Sequence, residues 1–534
     1  MPPRRRAIGS NKISPVPRPS ILLKRSLIFL HRWMGVALSL IFLLWFASGI
    51  VMMYWSFPDV GPEDRALRAP TLDPAQIRFS PQEAYAALGR DQPAGQVRLD
   101  SFDGRPVYRF RGRGNAMVYA DDGTVQAEIS DSMLDRVAAA WTGQPVTTAS
   151  RQSVDEVDQW TVGSQLGNLR PLFKYSFADG QQVYISARDA EVKQYTTTES
   201  RFWAYLGAIP HWMYFTPLRK HPPEWFQFVV WTSGIGTVAA LLGIALAIWM
   251  LSPSQRYRHA GVPTSIPYRG WKRCHMIIGL VFGVVTATWA FSGLLSMGPF
   301  DFVERLAGNR PAARPSDNLA SALRGEDPMP LAAYSAKSPR DAIAALGADF
   351  PVKELEFTAF AGDPVYLASD ATGATRIIPM NGPPQAEFDR QKIMEIVRNA
   401  AGPNLADLHW MEQYDAYYLD RTRRRPLPVI YVRMNDENQT RYYIDPKTAR
   451  VAGNYSSRNW VQRWVYHGLH SMDFPWLYNH RPLWDIVVIA LLLGGTALCV
   501  TSLLLAWRVL MRKVMAMTGS RPGPVSEDLA AGAE

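Results

Sequence analysis

Nine histidines are the residues of this chain best equipped for chemistry, because imidazole carries protons near neutral pH and ligates iron, copper and zinc. Six of them pair when the chain is laid on itself. His31 in HRWMGVALSLIFLLWFASG (31–49) matches His275 in HMIIGLVFGVVTATWAFSG (275–293), and Gly35 then matches Gly279, Trp45 Trp289, Ser48 Ser292 and Gly49 Gly293. His211 of HWMYF (211–215) matches His470 of HSMDF (470–474), and His221 of HPPEW matches His480 of HRPLW. His259, His409 and His467 have no counterpart. Two identical imidazoles approaching across a near-twofold axis form the arrangement that two axial ligands take around one flat iron porphyrin. A histidine at a membrane interface also serves as a plain amphipathic anchor, and Trp45 and Gly49 repeat without being ligands. Zinc would call for three or four ligands at one height, carboxylate or thiolate among them, and the apolar runs beside these histidines contain no acid.

Those runs are the elements that must position the histidines. The mean hydropathy of −0.12 looks soluble but averages over strong segregation. Uncharged stretches fill the intervals Arg32–Asp59, Glu224–Arg256, Arg273–Asp301 and Asp485–Arg508. Each exceeds the roughly 20 residues that cross about 30 Å of hydrocarbon as a helix. The sequence therefore predicts four spans. The first is too long for a signal-peptide core and is followed by MMYWSFPD rather than a small-residue cleavage site, so it reads as a retained anchor.

Charge sets the orientation. Arg4, Arg5, Arg6, Lys12, Lys24 and Arg25 precede span one; Arg256, Arg258, Arg269, Lys272 and Arg273 lie between spans two and three; Arg508, Arg512 and Lys513 follow span four. Cytoplasmic flanks collect Lys and Arg, which places both termini and the middle loop in the cytoplasm and the two long segments outside. The net charge of +10 follows from this bias and gives no reason to invoke nucleic acid. The two cysteines, Cys274 and Cys499, both fall in spans, and no C-x-x-C-H motif is present for covalent haem attachment.

The duplication continues outside the spans. SPQEAYAALG (80–89) matches SPRDAIAALG (338–347), and GRPVY (104–108) matches GDPVY (362–366). Ser80 and Ser338 read as helix N-caps, Pro81 and Pro339 as first helical residues, and Glu83 and Asp341 as the acidic reply. Strand-like runs, a helix (DSMLDRVAAAWTG; DRQKIMEIVRNAAG) and a further strand pair follow in each half. The expected architecture is an α-helical four-span bundle with two periplasmic α+β lobes, internally duplicated about a pseudo-twofold along the membrane normal. Its parts are a disordered basic N-terminus (1–24), spans at 25–56, 223–251, 274–298 and 482–510, lobes at 57–222 and 299–481, a cytoplasmic loop (252–273) and a cytoplasmic tail (511–534).

The HRWMG…FASG span, the SPQEA…GRPVY units and the IPHWMYF segment before span two resemble the PepSY-associated transmembrane family in duplicated form, over roughly residues 20–510. That resemblance implies PepSY-like lobes in the periplasm, a bacterial inner-membrane location, and kinship with siderophore-iron reductases whose helix histidines hold b-type haems. Carried over, it implies cofactor-binding roles for His31, His275, His211 and His470. Pairing them by the repeat gives two haems b, with His467, one turn from His470, as an alternative ligand. Electrons would come from an external donor, a quinol or a separate reductase, since the chain has no G-x-G-x-x-G; they would enter near His31 and His275 and leave beyond His211 and His470 to a ferric siderophore. Trp45 and Trp289, 14 residues past the first histidines, are expected about 21 Å along their helices, toward the second pair. Arg32, Lys272 and Arg273 are candidates for haem propionates; Tyr417, Tyr418, His409 and the RTRRR run (421–425) are candidates for an anionic dock. His221, His480 and His259 receive no role. Two other readings remain open: a cofactor-free membrane protein whose lobes bind peptides or regulate a protease, and an iron-chelate transporter.

Overall fold

A computed structural model describes residues 19–112, 115–298, 315–325, 329–420 and 424–517. Expectations that fall on residues 1–18, 421–423 and 518–534 lie outside the described residues. The chain divides into two compact units, one of Met1–Ile50, Phe226–Met297 and Pro482–Glu534, the other of Val51–Trp225 and Gly298–Arg481.

The first unit holds four helices long and apolar enough to cross a membrane: Ser20–Met52, Pro222–Met250, Trp271–Ser296 and Leu483–Met517. Even the shortest, at 26 residues, reaches about 39 Å, beyond the roughly 30 Å of hydrocarbon. Helix is already present at Pro19–Lys24, in the segment expected to be disordered, and span four continues to Met517, past the expected limit of 510. Close approach between spans is made by phenylalanine rings seated on glycines. A Cβ at Gly236 in span two would lie 2.0 Å from Phe42 of span one. At Gly495 and Gly494 in span four it would lie 2.2 Å from Phe46 and 2.3 Å from Phe282. Each ring occupies the space that any larger residue would need, as small residues permit in membrane helix packing.

The second unit is built from antiparallel sheet. In the first half β1 (Gln96–Phe102), β2 (Arg105–Arg111) and β3 (Ala116–Tyr119) are followed by β4 (Ser150–Val154), β5 (Leu172–Ser176), β6 (Gln182–Ser186) and β7 (Val192–Thr196). In the first unit, a hairpin of β8 (Tyr257–His259) and β9 (Val262–Thr264) joins spans two and three. The second half repeats the pattern with β10 (Glu354–Phe360), β11 (Asp363–Ser369), β12 (Thr375–Pro379), β13 (Leu405–Met411), β14 (Val429–Met434), β15 (Arg441–Asp445) and β16 (Arg450–Tyr455). Strands β4–β7 and β13–β16 form one four-stranded sheet per half.

The halves do not keep separate first sheets. They share a six-stranded sheet of order β12-β11-β10-β1-β2-β3. At its centre Val97 faces Phe357, Arg98 faces Glu356 and Leu99 faces Leu355. Since Val97 and Leu99 are the repeat equivalents of Leu355 and Phe357, each faces the equivalent of the other, while Arg98 faces its own equivalent Glu356, so a local twofold passes through that pair. One face of the shared sheet packs Val97, Leu99, Tyr108, Leu355, Phe357 and Tyr366 in one buried cluster with Ala84 and Ala342 of the helices Pro81–Ala86 and Pro339–Ala344. Ser80 and Ser338 cap those helices, accepting from the backbone N–H of Glu83 and Asp341, each worth about 1 kcal/mol. The other face receives helices Asp131–Thr142 and Arg390–Ala401, each also packed on its own four-stranded sheet.

Candidate functional site

The structure brings the repeated histidines of spans one and three together. The ring centroids of His31 and His275 lie 6.4 Å apart. His31 Nδ1 is 3.0 Å from the carbonyl oxygen of Ala239 in span two. A carbonyl only accepts, so Nδ1 carries the proton and Nε2 keeps its lone pair. His275 Nδ1 is 3.0 Å from Thr501 Oγ1 in span four. Around both rings is a cavity of about 650 Å³, within the range of cofactor pockets. Its walls include Gly35, Phe42, Gly243, Gly279, Gly283 and Leu498, and its charged lining residues are Arg32, Arg269, Lys272, Arg508 and Arg512, with no carboxylate among them.

The second pair lies within the sheet-bearing unit. His211 sits on the short helix Ala208–Trp212 and His470 on Leu469–Ser471, with ring centroids 6.0 Å apart. Both helices end on a methionine in the left-handed region, Met213 at φ 52° and Met472 at φ 52°, so the two turns are built alike. Their supports differ. Arg219, held between Tyr214 and Trp225, donates to the carbonyl of Val162 at 2.7 Å behind the first turn. Behind the second, buried Arg463 donates to the carbonyls of Ala416 and Asp473, and burial holds its guanidinium below the usual arginine range. The first half breaks its helix at Gly207, where a Cβ would lie 2.9 Å from Val51. The second half runs the same stretch as a π-helix, Val461–Gly468, and puts Tyr466 in the place of Gly207, 5.4 Å from the His470 ring. π-Turns of this kind are concentrated at functional positions.

Both separations suit one metal between two imidazoles. A metal–imidazole bond of about 2 Å, with each ring centre about 1.2 Å further out, places the centroids about 6.4 Å apart. The protonated Nδ1 of His31, bound to protein, leaves Nε2 as the nitrogen that could hold a metal, the usual outer-shell arrangement for a metal-bound histidine. Around the span pair, the apolar wall and the cationic lining match a porphyrin with its two carboxylates. Among the described residues no group of three or more His, Cys, Asp or Glu side chains is placed to share a metal.

The remaining expected residues have contacts of their own, and His467 shares the Tyr466 ring with His470. His467 has its ring 4.7 Å from Tyr466, and His480 Nδ1 contacts the carbonyl of Trp476 at 2.7 Å. His259 is held in the β8–β9 hairpin by Ile266 and Arg269. His409 contacts Asp407 and lies 4.8 Å from Tyr431. Trp45 and Trp289 pack on Phe42 and Phe46. Tyr418 is a core residue, fully buried with its hydroxyl donated to the carbonyl of Pro426, and is no surface contact for a ligand. Of the basic run, Arg421–Arg423 lie outside the described residues, while Arg424 pairs with Glu63 at 3.0 Å.

Sequence reasoning missed Ala239, Gly243, Thr501, Arg269, Arg508 and Arg512. Thr501 left a signal: it is a hydroxyl in span four where the repeat has Leu242 in span two. No protein-family model matches the chain, and no curated protein matches it.

Proposed function

We propose that this chain is an electron-transfer protein of the bacterial inner membrane that holds two haems b and reduces ferric, siderophore-bound iron in the periplasm. The carrying observation is that each of four histidines faces its own repeat equivalent at a ring separation near 6 Å. The likeness to the PepSY-associated transmembrane family supports the same reading, with the two halves related by a twofold along the membrane normal. The Lys and Arg flanks argue that both termini and the loop 252–273 are cytoplasmic and that the lobes are periplasmic.

In this reading His31 and His275 hold one group by Nε2, and His211 and His470 hold the other. A haem with two imidazole ligands supplies one-electron transfer and offers no open position for bond-making. Arg32, Arg269, Lys272, Arg508 and Arg512 neutralise its carboxylates at the span pair. Ferric iron in a chelate suits such a protein, because it needs only an electron and its hold on hard oxygen ligands weakens on reduction. The electron donor is a separate molecule, a quinol or a reductase.

A reduced-minus-oxidised spectrum with a pyridine haemochrome count tests the reading directly. Two b haems per chain are expected. His31→Ala or His275→Ala should each remove one, and His211→Ala or His470→Ala the other, leaving half the Soret absorbance. Anaerobic mixing of the dithionite-reduced protein with ferric siderophores should reoxidise it and yield ferrous iron trapped by ferrozine. A colourless protein, or one reoxidised by quinones and by no ferric chelate, would require the reductase reading to be dropped.

A further inference from the structure

The two imidazoles of the span pair are repeat equivalents, yet their outer nitrogens are held differently. On the His31 side the acceptor is the backbone carbonyl of Ala239. The repeat equivalent of Ala239 is Leu498, and its carbonyl is likewise hydrogen-bonded to His275. Thr501 adds a second partner on that side. Its hydroxyl donates to Leu498 O at 2.8 Å, and its oxygen lies 3.0 Å from His275 Nδ1. A hydroxyl has one proton, and here that proton points at Leu498, so Thr501 Oγ1 must accept from His275. Nδ1 of His275 therefore carries its proton, and Nε2 keeps its lone pair. The repeat places Leu242 at the matching position of span two, which can supply no such group.

We propose that Thr501 is a positioning residue for His275, fixing its Nδ1–H tautomer and ring orientation through a hydroxyl relay to Leu498, so that the two imidazoles of the span pair are unequal donors. The inference rests on the reading that His31 and His275 hold a haem. An N–H donated to an acceptor makes the opposite nitrogen more basic, which favours ferric over ferrous iron. A hydroxyl that is itself donating accepts more strongly, so the relay adds to this effect. Without the hydroxyl, His275 keeps only the Leu498 carbonyl, and its Nε2 becomes the poorer donor.

The test compares wild-type full-length protein with Thr501→Val, which keeps the shape and removes the hydroxyl, and Thr501→Ser, which keeps the hydroxyl. Midpoint potentials are measured spectroscopically, and the component that disappears in His275→Ala identifies the span pair. Thr501→Val should shift that component to more positive potential and leave the other unmoved, while Thr501→Ser stays at the wild-type value. Loss of that haem from Thr501→Val but not from Thr501→Ser would support the same role. Loaded Thr501→Val with wild-type potentials, or the two variants changing together, would overturn the inference and leave the haem reading intact. A wild type that binds no haem would overturn both.

Discussion

Gly243 shows how narrowly the His31 ring is placed. A Cβ there would lie 2.7 Å from His31 Cε1, inside the distance at which something must shift. Gly35 lines the same cavity, but its Cβ would meet Ser502 Oγ at an ordinary 3.5 Å. Gly243→Ala should therefore push the imidazole aside at a cost of about 1–3 kcal/mol, weakening ligation roughly tenfold or more. The expected outcome is loss of up to half the Soret absorbance in Gly243→Ala, with Gly35→Ala near wild type. Equal haem content in both variants would show that His31 is not held by this contact. The histidines themselves were legible, because a repeat marks them without any knowledge of the fold. Their partners were not: Ala239 lies 208 residues from His31 and Thr501 226 residues from His275, and nothing local in either span announces the meeting.

At the scale of elements, strands with an apolar face and a turn after them could be read, and the N-caps at Ser80 and Ser338 follow from side-chain chemistry alone. The central strands β1 and β10 could not, because QVRLDSF and ELEFTAF carry charges that blur the alternation. Those charges are paired within the fold. Arg109 on β2 holds Asp100 on β1 at 2.7 Å and Glu191 at 3.4 Å, while Arg450 holds Glu356 at 2.6 Å. Burial raises the Asp100 carboxyl above the usual range despite Arg109 beside it. Removing that cation leaves the carboxylate buried without its main counter-charge, which costs about 3–5 kcal/mol. The sign of the pH dependence follows. A folded-state pKa above the unfolded value favours the protonated form in the fold, so that stability is present at low pH and lost as pH rises through the folded value. Arg109→Met raises the folded value further. Its melting temperature should thus fall most at pH 7 and recover partly on acidification toward pH 5. A deficit that is constant with pH would point to lost packing rather than an orphaned charge.

For the whole molecule, duplication does more than repeat a stable unit. Equivalent residues face one another at three places: Arg98 and Glu356 in the shared sheet, His31 and His275 between spans, and His211 and His470 on matched turns. Neither half has a complete version of any of them. A half alone would expose β1 or β10 as an open sheet edge, a known route to aggregation, and would offer one imidazole of each proposed ligand pair. The β8–β9 hairpin is a suitable place to cut, since Gly261 at its tip has φ +85° and space around it. Residues 1–260 and 261–534 expressed together, with an affinity tag on one, should co-purify and carry the haem spectrum of the intact chain. Either half expressed by itself should give little soluble material after detergent extraction and no bis-histidine spectrum. A single half that purifies well with a full haem would mean that the ligand pairs lie within halves, and the facing of equivalents would then have no part in building the sites.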